Sequence, residues 1–182
     1  MTPAPALTRK SIALVGLMGV GKTSIGRRLA VALGLPFRDA DEEIERAAGC
    51  SVAEIFTSRG EAEFRDGERR VIARLLDEPP HVLATGGGAF ANAETRKLIQ
   101  SRALSVWLKA DLEILARRVA RKDSRPLLRG KDPHQVLESL AAARNPAYAE
   151  ADVKVEVGEG SHQVAVDAVL AALTAHLEKQ DG

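Results

Sequence analysis

The chain has 182 residues, 45% of them hydrophobic and only 3% aromatic, a size for one α/β domain whose core rests on Leu, Val, Ile and Ala. Its formal charge is +1, with 26 Lys plus Arg against 25 Asp plus Glu, which argues against a dedicated nucleic-acid or membrane-surface protein. A single cysteine, Cys50, excludes an intrachain disulfide and a multi-cysteine metal site and makes a reducing cytoplasm the expected compartment.

Residues 1–10 hold no hydrophobic signal core and read as a frayed tail, and no later run approaches membrane-spanning length. Residues 11–15 are mostly apolar and partly β-branched, as suits a buried parallel strand. Directly after them, Gly16-Leu17-Met18-Gly19-Val20-Gly21-Lys22-Thr23 matches the pattern G-x-x-x-x-G-K-[ST] without a mismatch. Its glycines let the backbone aim successive N–H groups inward, and a helix opening at Lys22 adds unpaired amides and a positive dipole end. The stretch is therefore expected to cradle phosphate. Lys22 suits the β- and γ-phosphates and the Thr23 hydroxyl suits Mg²⁺, so the expected ligand is a nucleoside triphosphate with its metal.

The first helix ends near Gly34, and residues 35–38 supply a short second strand. That strand delivers Asp39-Ala40-Asp41 to its carboxyl end, where open α/β sheets bind ligands. A helix resumes at Glu42, for which Asp41 could serve as the cap, and Gly49 is its C-terminal stop. Ser51-Val52-Ala53-Glu54 is a capping box for a helix that Gly60 closes; residues 61–76 form a longer one, ended by Pro79-Pro80. The third strand, residues 81–85, runs into Gly86-Gly87-Gly88, which permits close backbone approach to a ligand. Asn92 caps a helix reaching about Gln100, residues 104–108 are the fourth strand, and Asp111 caps a helix to about Arg121. Across residues 122–131 the apolar periodicity breaks down, and a mobile lid is expected. Asp132-Pro133 opens a helix ending near Asn145-Pro146, residues 153–157 are the fifth strand, and Ser161 starts the last helix. This regular alternation predicts a three-layer α/β fold with a five-stranded parallel sheet, right-handed crossovers and helices on both faces. His81, His134, His162 and His176 lack metal-ligand spacing and read as structural or exposed.

Beyond the phosphate loop, five segments resemble shikimate kinase in type, order and spacing, from Ile12 to about Tyr148. They are Asp39-Ala40-Asp41; Gly60-Glu61-Ala62-Glu63-Phe64-Arg65 with Glu68; Thr85-Gly86-Gly87-Gly88-Ala89; Arg125-Pro126-Leu127-Leu128; and Arg144-Asn145-Pro146-Ala147-Tyr148. The resemblance implies one P-loop, nucleoside-monophosphate-kinase-like domain over residues 1–182. It also implies transfer of the ATP γ-phosphoryl to the 3-hydroxyl of shikimate, in aromatic amino-acid biosynthesis. Nucleotide contacts are implied at Gly19, Val20, Gly21, Lys22, Thr23 and Ser24, with Arg118 packing against adenine and Arg125 closing from the lid at residues 122–131. Mg²⁺ is implied at Thr23 and Asp39. Shikimate is implied at Asp41, Arg65, Gly87, Gly88 and Arg144, with a substrate-binding region over residues 39–76 and Lys22, Asp41 and Arg125 catalytic.

The residue types make chemical sense of this. The guanidiniums of Arg65 and Arg144 can make paired hydrogen bonds to a planar carboxylate, Asp41 can face the nucleophilic hydroxyl, and glycine backbone can approach a ring where a side chain would collide. Between Arg117 and Lys131 seven basic residues stand against one acid, Asp123, a bias that calls for an anion. The third strand ends without the aspartate of a generic P-loop ATPase, in keeping with the resemblance, which draws that acid from Asp39. The aspartate and proline that line adenine in the family have no counterpart in residues 157–163. A kinase for gluconate or a nucleoside monophosphate is the competing reading, and an ATP-dependent switch the reading from another class. A monomeric cytoplasmic enzyme with small-molecule partners is expected, binding neither nucleic acid nor membrane.

Overall fold

The structure, a computed structural model, describes residues 5–121 and 130–182. Its strands are β1 (Ser11–Val15), β2 (Phe37–Asp39), β3 (Val82–Ala84), β4 (Ala103–Lys109) and β5 (Val153–Glu156). They form one parallel sheet in the order β2-β3-β1-β4-β5, with Ile12 beside Val82 on one side and Leu104 on the other. Burial follows that order: β1 and β3 are buried along their whole length, whereas the edge strands β2 and β5 stay partly exposed. Successive side chains point to opposite faces, so a wholly buried β1 requires cover on both faces. Part of that cover comes from α1 (Lys22–Leu33) and α7 (His162–Asp181), which pack on each other, and from α4 (Ala93–Arg102), which lies on β4.

Part of the expected tail is packed. Pro5–Thr8 form a single 3-10 turn against α7, and Leu7 is buried in the main core, so residues 5–8 are packed rather than frayed. No helix among the described residues is long and apolar enough to cross a membrane.

Helix α2 (Ala40–Ala48) starts two residues earlier than the spacing suggests, which moves the cap from Asp41 to Asp39. Oδ1 of Asp39 accepts from the amides of Asp41 (3.0 Å) and Glu42 (3.2 Å), so the chain passes from β2 into α2 with no loop between. Helix α3 (Val52–Leu76) joins the two expected helices, with Gly60 at φ 84° and ψ 170° breaking the helical path between them. Ser51 caps it by accepting from the Glu54 amide at 3.1 Å. Ile44, Ile55 and Phe64 form a small second core where α2 and α3 meet, which anchors the residue before Arg65.

Asn92 caps α4 as expected, whereas Asp111 before α5 (Leu112–Ala120) and Ser161 before α7 stand at the cap position without a side-chain cap bond. Helix α6 (Pro133–Tyr148), capped by Asp132, does not stop at Asn145-Pro146 but runs on through Pro146. A proline in the last turn removes one helix hydrogen bond and leaves the rest in place. The continuation matters because Arg144 and Tyr148 then lie one turn apart on one side of the helix. Arg125 and the expected lid, apart from Gly130 and Lys131, lie outside the described residues.

Candidate nucleotide and substrate sites

The phosphate loop leaves β1 pressed against β4: a Cβ on Gly16 would lie 2.5 Å from the Leu108 carbonyl oxygen. Gly21, at φ 100° in the left-handed region, is the N-cap of α1 and brings no side-chain oxygen to its first amides, which leaves those donors for an anion. Lys22 Nζ donates to the carbonyls of Gly16 (2.5 Å) and Leu17 (3.1 Å), so the ammonium lies within the arc of the loop. Val20 turns its side chain into the core, and only its backbone belongs to the cradle.

Thr23 and Asp39 meet across the carboxyl ends of β1 and β2. The Thr23 hydroxyl donates to Asp39 Oδ2 at 2.8 Å while Oδ1 caps α2, so both carboxylate oxygens are fixed. Thr85, where a generic ATPase would carry its acid, gives its hydroxyl to the Leu14 carbonyl at 2.8 Å. Among the described residues no group of three or more His, Cys, Asp and Glu could hold a metal. A hydroxyl and a carboxylate are nevertheless the hard oxygen donors that suit Mg²⁺, which keeps several waters and takes its remaining ligands from phosphate.

These groups line a cavity of about 670 Å³ together with Gly19, Ser24, Arg118 and the loop after β5. Arg118 donates to the carbonyls of Gly19 (3.2 Å), Val20 (3.3 Å) and Gly158 (3.3 Å), tying the phosphate loop to that loop. Arg117 pairs with Glu159 in the same place. Arg121, from the basic cluster, and His162, read as structural or exposed, also line this cavity. Partial burial, then Arg28 and Arg118, hold the His162 imidazole below the usual histidine range. Its place as the first residue of α7, after a loop with two glycines, was the available signal.

A second cavity, of about 130 Å³, opens beside the first and shares Met18, Asp41, Gly86 and Gly87 with it. Each glycine of the triplet faces one part of a charged group. A Cβ on Gly86 would lie 3.0 Å from both Asp41 Oδ1 and Glu68 Oε2, one on Gly87 would lie 3.2 Å from Arg144 Nη1, and one on Gly88 would overlap the Arg65 guanidinium. Phe56 and Phe64, with ring centroids 4.5 Å apart, form an apolar wall, and Arg65 Cζ lies 5.2 Å from the Phe64 ring. The structure thus brings Asp41, Arg65, Gly87, Gly88 and Arg144 together.

Glu68 belongs to this cluster without having been assigned a role. It is buried, accepts from Arg65 Nη1 at 2.8 Å, and its carboxyl is pushed above the usual range by burial; Arg65 opposes that shift, Asp41 adds to it and Arg144 opposes it. Its spacing three residues after Arg65 on a helix was the signal that could have paired them.

A family model for shikimate kinase matches residues 18–174, most of the chain. The chain belongs to the shikimate kinase family. Membership makes it an ATP-using kinase of the shikimate pathway. A shikimate kinase from Caulobacter vibrioides (strain NA1000 / CB15N) is 72% identical over 167 residues, which cover 92% of this chain and 84% of the relative. The solved structure of a shikimate kinase from Acinetobacter baumannii in complex with shikimate is 38% identical, with a TM-score of 0.89 over 93% of this chain and 95% of that one. A gluconokinase from Sinorhizobium meliloti 1021, 22% identical with a TM-score of 0.66 over 95% and 96%, shares the fold. That last likeness carries no substrate.

Proposed function

We propose that the enzyme transfers the γ-phosphoryl group of ATP to the 3-hydroxyl of shikimate, giving ADP and shikimate 3-phosphate. The observation that carries this reading is the wall shared by the two cavities, where Asp41 stands between the phosphate loop and the Arg65–Arg144 pair. A phosphoryl acceptor held by its carboxylate on the two arginines presents a hydroxyl to Asp41 and, past it, to the γ-phosphate.

In phosphoryl transfer the protein's work is positioning and electrostatic stabilisation. The amides from Gly19 to Ser24 bind the phosphates and Lys22 neutralises the β- and γ-oxygens. Thr23 and Asp39 would hold Mg²⁺, which when bound supplies charge to the phosphate oxygens. Asp41 orients the acceptor hydroxyl and takes its proton late. Arg65 and Arg144 hold the carboxylate, and the Gly87 and Gly88 backbone lies along the ring. Arg118 borders the base, and Arg125, outside the described residues, closes over the phosphates from a lid at residues 122–131. Both cavities are built from one chain, which supports action as a monomer, and the single cysteine supports a cytoplasmic setting.

The test is ADP release with Mg²⁺-ATP and a panel of hydroxyl acceptors that includes shikimate and gluconate. Shikimate is expected to be turned over at least about a hundredfold better in kcat/KM than any other, a difference of roughly 2.7 kcal/mol in transition-state binding. Equal or better turnover of gluconate would refute the assignment.

A further inference from the structure

Arg144 and Tyr148, one turn apart on α6, reach the same neighbour, Gly87. The Tyr148 hydroxyl donates to the Gly87 carbonyl, and a Cβ on Gly87 would lie 3.2 Å from Arg144 Nη1, so the guanidinium packs on the same residue. Phenol and guanidinium therefore bear on the same residue, one through its carbonyl and the other over its Cα. Tyr148 is fully buried, its ring 5.8 Å from that of Trp107, and it forms part of the wall of neither cavity. A second tie joins the same two elements. Arg96 donates to the carbonyls of Phe90 (3.0 Å) and Ala91 (3.2 Å), just past the glycine triplet, and pairs at 3.0 Å with Glu150, two residues after Tyr148.

We propose that Tyr148 is a positioning residue of the substrate cavity: its hydroxyl holds the Gly87 peptide against Arg144, in the arrangement that receives the ring and carboxylate of shikimate. The inference rests on the reading of that cavity as the shikimate site. A ring lying along the Gly87 backbone and a carboxylate on Arg144 need those two groups at a fixed separation before the substrate arrives. Phenylalanine at 148 would keep the packing on Trp107. It would also leave the Gly87 carbonyl without its buried donor.

Tyr148→Phe is expected to raise the shikimate KM about tenfold, the scale of one buried acceptor left unsatisfied, and to leave the ATP KM within about twofold. A shikimate KM within about twofold of wild type, or an equal rise for ATP, would overturn the proposal. Tyr148 is the only tyrosine of the chain, so growth on 3-fluorotyrosine places one fluorine reporter there in an otherwise unaltered enzyme, whether or not Tyr148→Phe folds. Saturating shikimate is expected to shift its ¹⁹F resonance while ATP alone is not, and a resonance indifferent to shikimate would also overturn the role. Wild-type turnover of shikimate is measured in the same series. Its presence with an unaffected Tyr148→Phe removes only the positioning role, whereas its absence removes the cavity assignment as well.

Discussion

The Arg65 guanidinium fills the space that a side chain on Gly88 would take: a Cβ there would lie 2.5 Å from Cζ and 2.7 Å from Nη1. Arg65 is also paired with buried Glu68 at 2.8 Å, so it cannot step aside without loosening that pair. The absence of a side chain at position 88 is thus part of what aims Arg65 into the cavity.

Gly88→Ala therefore separates folding from substrate binding. The overlap is with the far end of a flexible side chain, so the protein is expected to fold cooperatively, with a thermal melt lowered by the loosened Arg65–Glu68 pair. The displaced guanidinium loses its contact with the substrate carboxylate, worth about 1.5–3 kcal/mol, and the shikimate KM rises about tenfold or more. An unchanged shikimate KM in a folded Gly88→Ala enzyme would show that Arg65 does not need this space.

Asp39 serves α2 with one oxygen and Thr23 with the other. Asparagine caps a helix about as well as aspartate, so Asp39→Asn is expected to change stability by no more than about 0.5 kcal/mol. The carboxylate charge is lost, and the Mg²⁺ concentration for half-maximal rate is expected to rise at least about tenfold, since Mg²⁺ favours charged oxygen donors. A metal requirement equal to wild type would leave Asp39 as a cap alone.

Glu68 carries a pH signature. Burial raises its carboxyl above the ordinary value of 4.5, and a group whose folded pKa is raised takes up protons on folding between the two values. Its contribution to stability is fully present below the unfolded value and is lost as pH rises through the folded one. Urea unfolding of wild type and Glu68→Gln from about pH 4 to 8 is expected to show the wild-type advantage shrinking as pH rises. A difference that stays flat or grows with pH would contradict the raised carboxyl.

The features readable in the sequence were those governed by local rules. Glycine spacing revealed the phosphate loop, and Ser51, Asn92 and Asp132 announced their helices because capping depends on the next three residues. Five strands and their parallel pairing followed from the alternation of strand and helix, whereas their order across the sheet came only from the structure. What escaped depended on distant partners. Asp39 rather than Asp41 capped α2 because β2 and α2 abut, and Leu7 is buried because α7, more than 150 residues later, lies against it. Glu68 drew no role because its burial comes from meeting the glycine triplet. His162 reached the nucleotide cavity only through the turn after β5, whose course no periodicity encodes. Pro146, a helix breaker by local rules, was carried by the rest of α6.

Phosphorus–proton correlation NMR on the product formed from ATP, Mg²⁺ and shikimate tests most directly whether the two joined cavities phosphorylate the 3-hydroxyl. With the carboxylate on Arg65 and Arg144 and Asp41 facing the reacting hydroxyl, a new phosphorus resonance coupled to the ring proton at C3 is expected. Coupling to the proton at C4 or C5 instead, or phosphorus found only in ADP and inorganic phosphate, would contradict the assignment.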